Sequence, residues 1–302
     1  MLENKFNNND LEKYFIWHIQ GGLGKNIAAT SLISSIKKTY KDRKIIIVAS
    51  HIEAYLNNPD IFRVYALGNT PYFYENYVEN KNVIISKQEP YNQTGHITKN
   101  KHLIENWCDL MSLEYKEQLP VILPNYAQAM MPNMWKRSKP IMVIQTSGGP
   151  LVGQKQSYSW TRDMPIEVAN SVVKKFSNDY HIIQITRADG YYIDGVERID
   201  KQISNMELFS LIVVSQKRVL IDSSLQHAAA AFNKPSTVFW VGTSPDVFGY
   251  KMHNNIKANL PKKANQLIGS YMFDFQFSDN LHECPYMELK DLFDLNLILN
   301  KI

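Results

Sequence analysis

The sequence predicts an α/β protein made of two doubly wound, Rossmann-like domains facing across a cleft. Three observations carry this. Short apolar runs such as KIIIVAS (44–50) and IMVIQTS (141–147) alternate with stretches of helical periodicity. The same strand–loop–helix grammar starts twice, at YFIWHIQ (14–20) and again at 141. Both opening strands run into glycine turns, Gly21-Gly22 and Gly148-Gly149, and ligands of open parallel sheets bind at such strand ends. With 302 residues, 44% hydrophobic and 21% charged, the chain has enough apolar material for two cores.

In the first half, strand 14–20 leads through the glycine turn into a helix over 27–40, with Ile27, Leu32, Ile33 and Ile36 on one face. Strands follow at 44–50, 63–68 and 82–86, the first apolar throughout, as in a parallel sheet covered on both faces. A polar loop over 87–100 precedes a helix at 103–115, and the proline-rich 116–140 reads as a linker. The second half has strands at 141–147, 181–186, 218–222 and 236–242, and helices at 165–178, 204–214 and 224–232. Asp163 and Pro165 suit the first of these helices as cap and early-turn residues. Expected domains are 1–138 and 139–285, with an amphipathic helix over 286–302 packing back on the first.

The net charge of +4 is too weak for a nucleic-acid partner. Basic clusters at 37–44 and 135–139 read as solvated surface, with contact to an anionic membrane or an acidic substrate as the alternative. Cys108 and Cys284 stand apart, without histidines at metal-ligand spacing, and read as idle thiols. No apolar run reaches a membrane span and the first residues are polar, so a cytoplasmic protein is expected, peripheral at most at the inner face of the membrane. The sequon at Asn92 then has no meaning.

The string QGGLGKN (20–26) invites comparison with phosphate-binding loops. A P-loop needs a glycine where Ile19 stands and a magnesium-binding hydroxyl where Asn26 stands. The dinucleotide fingerprint fits Gly22 and Gly24 but fails at Ile27. What remains is a turn, Gly21, Gly22, Gly24 and Asn26, that lets a ligand or another backbone come close. The stretch IDSSLQHAAAAFNKPSTVFWVGTSP (221–245) is richer. An aspartate ends a strand, Ser223 and Ser224 open a small-residue helix, and His227 follows one turn in. Hydroxyls and helix N–H groups there make an anion site, which His227, one turn in, is placed to reach.

This stretch resembles the donor-binding region of glycosyltransferase family 9, the ADP-heptose:lipopolysaccharide heptosyltransferases. Asp222, Ser223, Ser224, His227, Gly242 and Thr243 match in order and spacing, with Ser224-Leu225 in place of the family's more usual Gly-Pro or Gly-Leu. Upstream, Ser147, Gly148, Lys155, Trp160 and Arg162 match the segment that opens the family's second domain. The resemblance implies the two-domain GT-B fold, a nucleotide-diphosphate sugar as donor, a saccharide or glycolipid acceptor, inverting in-line displacement, and no metal or other cofactor. It places the donor on the second domain, where Lys155, Arg162 and the helix opening at Ser223 stabilise the leaving diphosphate. The acceptor falls to the first.

One position departs from the family. Its glycine turn is followed by an aspartate, the proposed general base, where this chain has Lys25. A lysine carries its proton at neutral pH and cannot remove one. Either Lys25 binds an anionic group, or the base lies elsewhere, with Glu89, His96 and His18 as candidates, or the chain is a catalytically impaired sugar-nucleotide-binding protein. The Gly-Gly-Leu-Gly string is also similar to the turn of fucosyltransferases that use GDP-fucose.

Overall fold

The computed structural model describes residues 11–149, 161–199, 201–259 and 292–302. The chain divides into two compact units. Met1–Gln93 and Leu103–Asn125 form the first; Thr94–His102 and Tyr126–Ile302 form the second.

The first unit is a four-stranded parallel sheet of β1 (Lys13–Ile19), β2 (Lys44–Ala49), β3 (Ile61–Ala66) and β4 (Asn82–Ser86), in the order β3-β2-β1-β4. Alternate β1 residues serve opposite faces. Trp17 packs edge-on against Trp107 of the helix Leu103–Leu110, while Tyr14 and Ile16 join Ile46 and Val48 beneath Phe73 and Tyr77. The helix expected over 27–40 is two helices, α1 (Leu23–Ala29) and α2 (Ile33–Thr39), joined by a tighter turn at Thr30–Leu32. The Thr30 and Ser31 hydroxyls donate back to the carbonyls of Ile27 and Ala28, each at 2.7 Å, and such back-bonding bends helices. The Thr30 hydroxyl also accepts from the Val121 N–H at 2.8 Å, tying down the segment after the Trp107 helix.

The second unit is a six-stranded parallel sheet. Its strands are β5 (Ile141–Gln145), β6 (His181–Ile185), β7 (Glu197–Ile199), β8 (Lys217–Ile221), β9 (Thr237–Trp240) and β10 (Asn254–Lys257), in the order β10-β9-β8-β5-β6-β7. The edge strands β7 and β10 escape the sequence pattern because they are short and polar, as edges often are. One face buries Met142, Ile144, Val219, Ile221 and Phe239 against the helix Ile166–Phe176. The closing helix Leu295–Lys301, expected on the first domain, packs on this same core through Ile298, with Leu292 and Phe293 just before it. The helix Asn205–Val214 starts in a capping box, the Ser204 hydroxyl accepting from the Glu207 N–H at 3.1 Å and the Ser204 N–H donating to the Glu207 carboxylate at 2.6 Å. The proline-rich segment read as a linker is partly helical at Tyr126–Met130 and Met131–Trp135, and Trp135 donates to the Ser210 hydroxyl at 2.7 Å.

Candidate functional sites of the two units

Strand order locates both sites. In each sheet the winding reverses beside the first strand of the unit: between β1 and β4 in the first, between β5 and β8 in the second. The carboxyl ends of strands at such a reversal leave a crevice where ligands bind.

In the first unit that place is a cavity of about 170 Å³, lined by His18, Gln20, Lys25, Lys87, Gln88 and Glu89 over the rings of Trp17 and Trp107. The turn above it is shaped by glycine. Gly21 has φ +121°, and a Cβ there would come within 3.0 Å of the Lys25 Cδ. Asn26 fastens the turn by donating to the Gly21 and Gly22 carbonyls at 3.1 and 3.0 Å, and its own carbonyl accepts from the Tyr55 hydroxyl at 3.3 Å. The α1 helix starts at Leu23 on a Gly22 cap, so Gly24 lies inside it, not before it. The buried Lys25 ammonium pairs with the Glu89 carboxylate and lies 5.0 Å from the centre of the Tyr91 ring. Glu89 also accepts from the Tyr91 N–H at 3.3 Å. The glycine turn therefore presents a lysine to a carboxylate of its own chain. His18, at the end of β1, titrates below its ordinary range because burial disfavours its charge, with Lys87 adding repulsion.

In the second unit, Gln145 at the end of β5 spans the reversal, its amide donating to the Ser223 hydroxyl at 2.9 Å and the Ser147 carbonyl at 3.2 Å. Ser223 caps the helix Ser224–Ala231 by backbone geometry alone, its hydroxyl being taken by Gln145. The Ser147 hydroxyl accepts from the Arg187 N–H at 2.7 Å and lies 3.2 Å from the Thr186 hydroxyl. Arg187 donates to the Gly148 carbonyl at 2.6 Å, to both Asp163 carboxylate oxygens at 3.3 and 3.0 Å, and to Asp189 at 3.0 Å. Asp163, expected as a helix cap, instead accepts from the Gly148 N–H at 3.1 Å and closes this clasp; the Ile166–Phe176 helix has no side-chain cap bond. Burial raises the pKa of Asp163, opposed by Arg187.

Asp222, at the end of β8, is buried and its pKa is raised by that burial, with Arg162 and then Thr243 pulling the other way. The Thr243 hydroxyl lies close to it without reaching hydrogen-bond geometry. The Gly242 N–H donates to the Thr161 carbonyl at 2.6 Å, joining the turn after β9 to the segment that carries Arg162. Asp222, Arg162, Gly242 and Thr243 thus form one group, with Ser147, Gly148 and Ser223 beside it across β5 and β8. Lys155 and Trp160 lie outside the described residues.

Two histidines differ from expectation. His227 faces the protein interior, with Nδ1 2.8 Å from the Tyr250 hydroxyl and Nε2 3.1 Å from the Gln226 amide nitrogen, so both ring nitrogens are engaged away from any anion. Burial, with His102 and His253 adding repulsion, takes its pKa down to about 3. His96, expected beside the glycine turn of the first domain, belongs to the second unit. There it lies with Lys99 beside Gly242 and Thr243, its ring 5.5 Å from that of Phe248. Burial, then Lys99, lowers its pKa to about 4. Chain excursions of this kind leave no mark in a sequence. Arg187, Gln145 and Lys87 were also missed; each is the polar residue at or just past the end of an apolar strand, and that position is the signal.

Comparison with solved structures finds the same architecture along nearly the whole chain. A family 9 glycosyl transferase from Veillonella parvula superposes with a TM-score of 0.63 at 12% identity, covering 96% of either chain. The fold is that of the heptosyltransferases. TibC, an iron-containing dodecameric glycosyltransferase from enterotoxigenic Escherichia coli, matches with a TM-score of 0.66 at 13% identity over 96% of this chain and 76% of its own. E. coli heptosyltransferase WaaC with ADP gives 0.53 at 14% identity over 84% and 97%. At these identities the likeness is one of heptosyltransferase fold, and no family model and no curated protein matches the sequence. Among the described residues, no group of three or more His, Cys, Asp or Glu is placed to hold a metal ion, and no helix is long and apolar enough to cross a membrane. Cys108 is buried, its thiol pushed up to about 11 by burial; Cys284 lies outside the described residues.

Proposed function

We propose that the chain is a glycosyltransferase that moves a sugar from a nucleotide-diphosphate donor to a hydroxyl of a saccharide or glycolipid acceptor, with inversion and without a metal. The observation that carries this is the Ser147–Gly148, Asp222–Ser223 and Gly242–Thr243 group, gathered at the strand reversal of the second sheet. In support, the solved neighbours of this fold include WaaC holding ADP and TibC holding ADP-D-β-D-heptose. The second unit takes the nucleotide diphosphate, with Arg162 and the opening of the Ser224–Ala231 helix near the charge that grows on the leaving group. Lys155 completes this set in the family pattern. Glu89 serves as general base: its carboxylate takes the proton of the acceptor hydroxyl, whose oxygen attacks the anomeric carbon as the bond to the diphosphate breaks. Lys25 is a positioning residue that holds Glu89 at the cavity.

A thermal-shift panel of ADP-, GDP- and UDP-sugars, run with and without EDTA, tests the reading. Stabilisation by one nucleotide sugar that survives EDTA is expected, with slow release of the nucleoside diphosphate when acceptor is missing. Stabilisation by none of them refutes sugar transfer, and stabilisation abolished by EDTA refutes its metal independence.

A further inference from the structure

We infer that Gln145 is a positioning residue that keeps the start of the Ser224–Ala231 helix uncapped, leaving its first N–H groups and the Ser223 hydroxyl proton for a diphosphate. Both hydrogens of the Gln145 amide are used, one on the Ser147 carbonyl at 3.2 Å and one on the Ser223 hydroxyl at 2.9 Å. An amide NH2 only donates, so both partners accept and the orientation of the amide is fixed. The Ser223 proton is therefore not spent on Gln145. A serine before a helix ordinarily turns its oxygen inward and accepts from the second or third N–H of that helix. Here it does not. The Gln226 N–H bonds the Ser223 backbone carbonyl at 3.2 Å instead, and the Ser224 and Leu225 N–H groups have no partner among the described residues. Free N–H groups begin every helix; what sets this one apart is the side chain that holds it open. Gln145 is 4% exposed, and its Oε1 is buried with no partner among the described residues. An unpaired buried oxygen destabilises a fold, and a serine diverted from the cap forgoes a further stabilising bond. Local losses of this kind are expected where a site, rather than the fold, sets the arrangement. The Ser223 hydroxyl and two N–H groups then supply three donors to charge that grows on a leaving diphosphate. Naming the anion as the donor's diphosphate rests on the sugar-transfer reading; the uncapped helix start does not.

The test uses the full chain, inorganic pyrophosphate as the probe, and amide NMR with hydrogen exchange as the readouts. Pyrophosphate is expected to move the Ser224 and Leu225 amide signals of the wild type. Gln145→Met and Ser223→Ala each weaken it about tenfold, the worth of one bond to a charged group. The double variant is no weaker than either single one, because Gln145 acts through Ser223. Hydrogen exchange separates this role from a structural one by its sign. In Gln145→Met the released Ser223 hydroxyl caps the helix, and the Leu225 amide exchanges about fivefold more slowly. Loss of a merely structural contact speeds that exchange. Gln145→Asn, one methylene too short to reach Ser223, repeats the comparison if the methionine variant does not fold. Unchanged or faster Leu225 exchange, additive losses of pyrophosphate affinity, or amides that ignore pyrophosphate in the wild type overturn the proposal. If no nucleotide sugar stabilises the wild type while the amides respond as described, sugar transfer is refuted and the role of Gln145 stands. If a nucleotide sugar stabilises wild type and Gln145→Met equally, the role of Gln145 is refuted and sugar transfer stands.

Discussion

Acid destabilises this protein through histidines that are buried neutral in the second unit, and the size of the effect can be worked out. His227 and His96 are almost fully buried and titrate near 3 and 4 in the folded state, against about 6.5 when unfolded. Below pH 6.5 the unfolded chain therefore binds more protons than the native one, and stability falls with pH until the folded values are reached. The window runs from about 6.5 down to about 4 for His96 and about 3 for His227. At pH 5.0, about 1.5 pH units into it, each histidine has removed roughly 1.5 × 1.4, or about 2 kcal/mol. His253, lowered chiefly by its burial, acts in the same direction. Asp163 and Asp222 act oppositely, since pKa values raised by burial return stability in acid. A single-site comparison separates these contributions. Urea unfolding at pH 7.5 and 5.0 is measured for wild type and His227→Gln. The variant loses its Tyr250 contact at both pH values, yet its loss between them is about 2 kcal/mol smaller than that of wild type. An equal loss in the two proteins refutes the reasoning.

Two further outcomes concern the sites directly. Lys25→Met leaves a half-exposed Glu89 unpaired, so its cost falls between those of exposed and buried pairs, at about 2 kcal/mol; a double-mutant cycle in urea with Glu89→Gln returns a coupling of about 1 kcal/mol or more, and strict additivity contradicts the pairing. Gly190→Ala drives a methyl to 2.1 Å from the Thr186 hydroxyl and disturbs the Ser147–Arg187 clasp, costing about 1–3 kcal/mol. Calorimetric titration with the stabilising nucleotide sugar then shows weaker binding, and unchanged affinity would remove this clasp from the donor site.

The interior strands were legible because a parallel strand covered on both faces must be apolar at every position, as IIIVA in β2 and IMVI in β5 are. Polar edges such as ERI in β7 give no such signal. Turns at strand ends were legible for a similar reason, since glycine and serine punctuate where the backbone must reverse or admit a ligand. That brought out Gly21, Ser147, Gly148, Asp222 and Gly242 without any coordinates. Pairings over distance were not legible. Lys25 meets Glu89 across 64 positions and Gln145 meets Ser223 across 78, and nothing local marks either partner. His227 shows the limit of spacing arguments: one turn into a helix it looked available to an anion, but the rotation of that turn directs it to Tyr250.

The path of the chain has a practical consequence for dissecting this protein. It leaves the first unit at 93, spends nine residues, Thr94–His102, in the second, and re-enters the first at Leu103 before leaving again at 125. No single cut of the gene yields both units whole. A fragment starting at the β5 strand lacks His96 and Lys99 beside the Gly242–Thr243 turn, and a fragment ending at 93 lacks Trp107, the partner of Trp17. On the ribosome the first sheet is complete before the helix that covers Trp17 emerges, and that helix is preceded by a segment belonging to a unit not yet made. Truncated fragments are therefore poor stand-ins for either unit, and a clean separation requires grafting 94–102 onto the second unit and bridging 93 to 103 in the first.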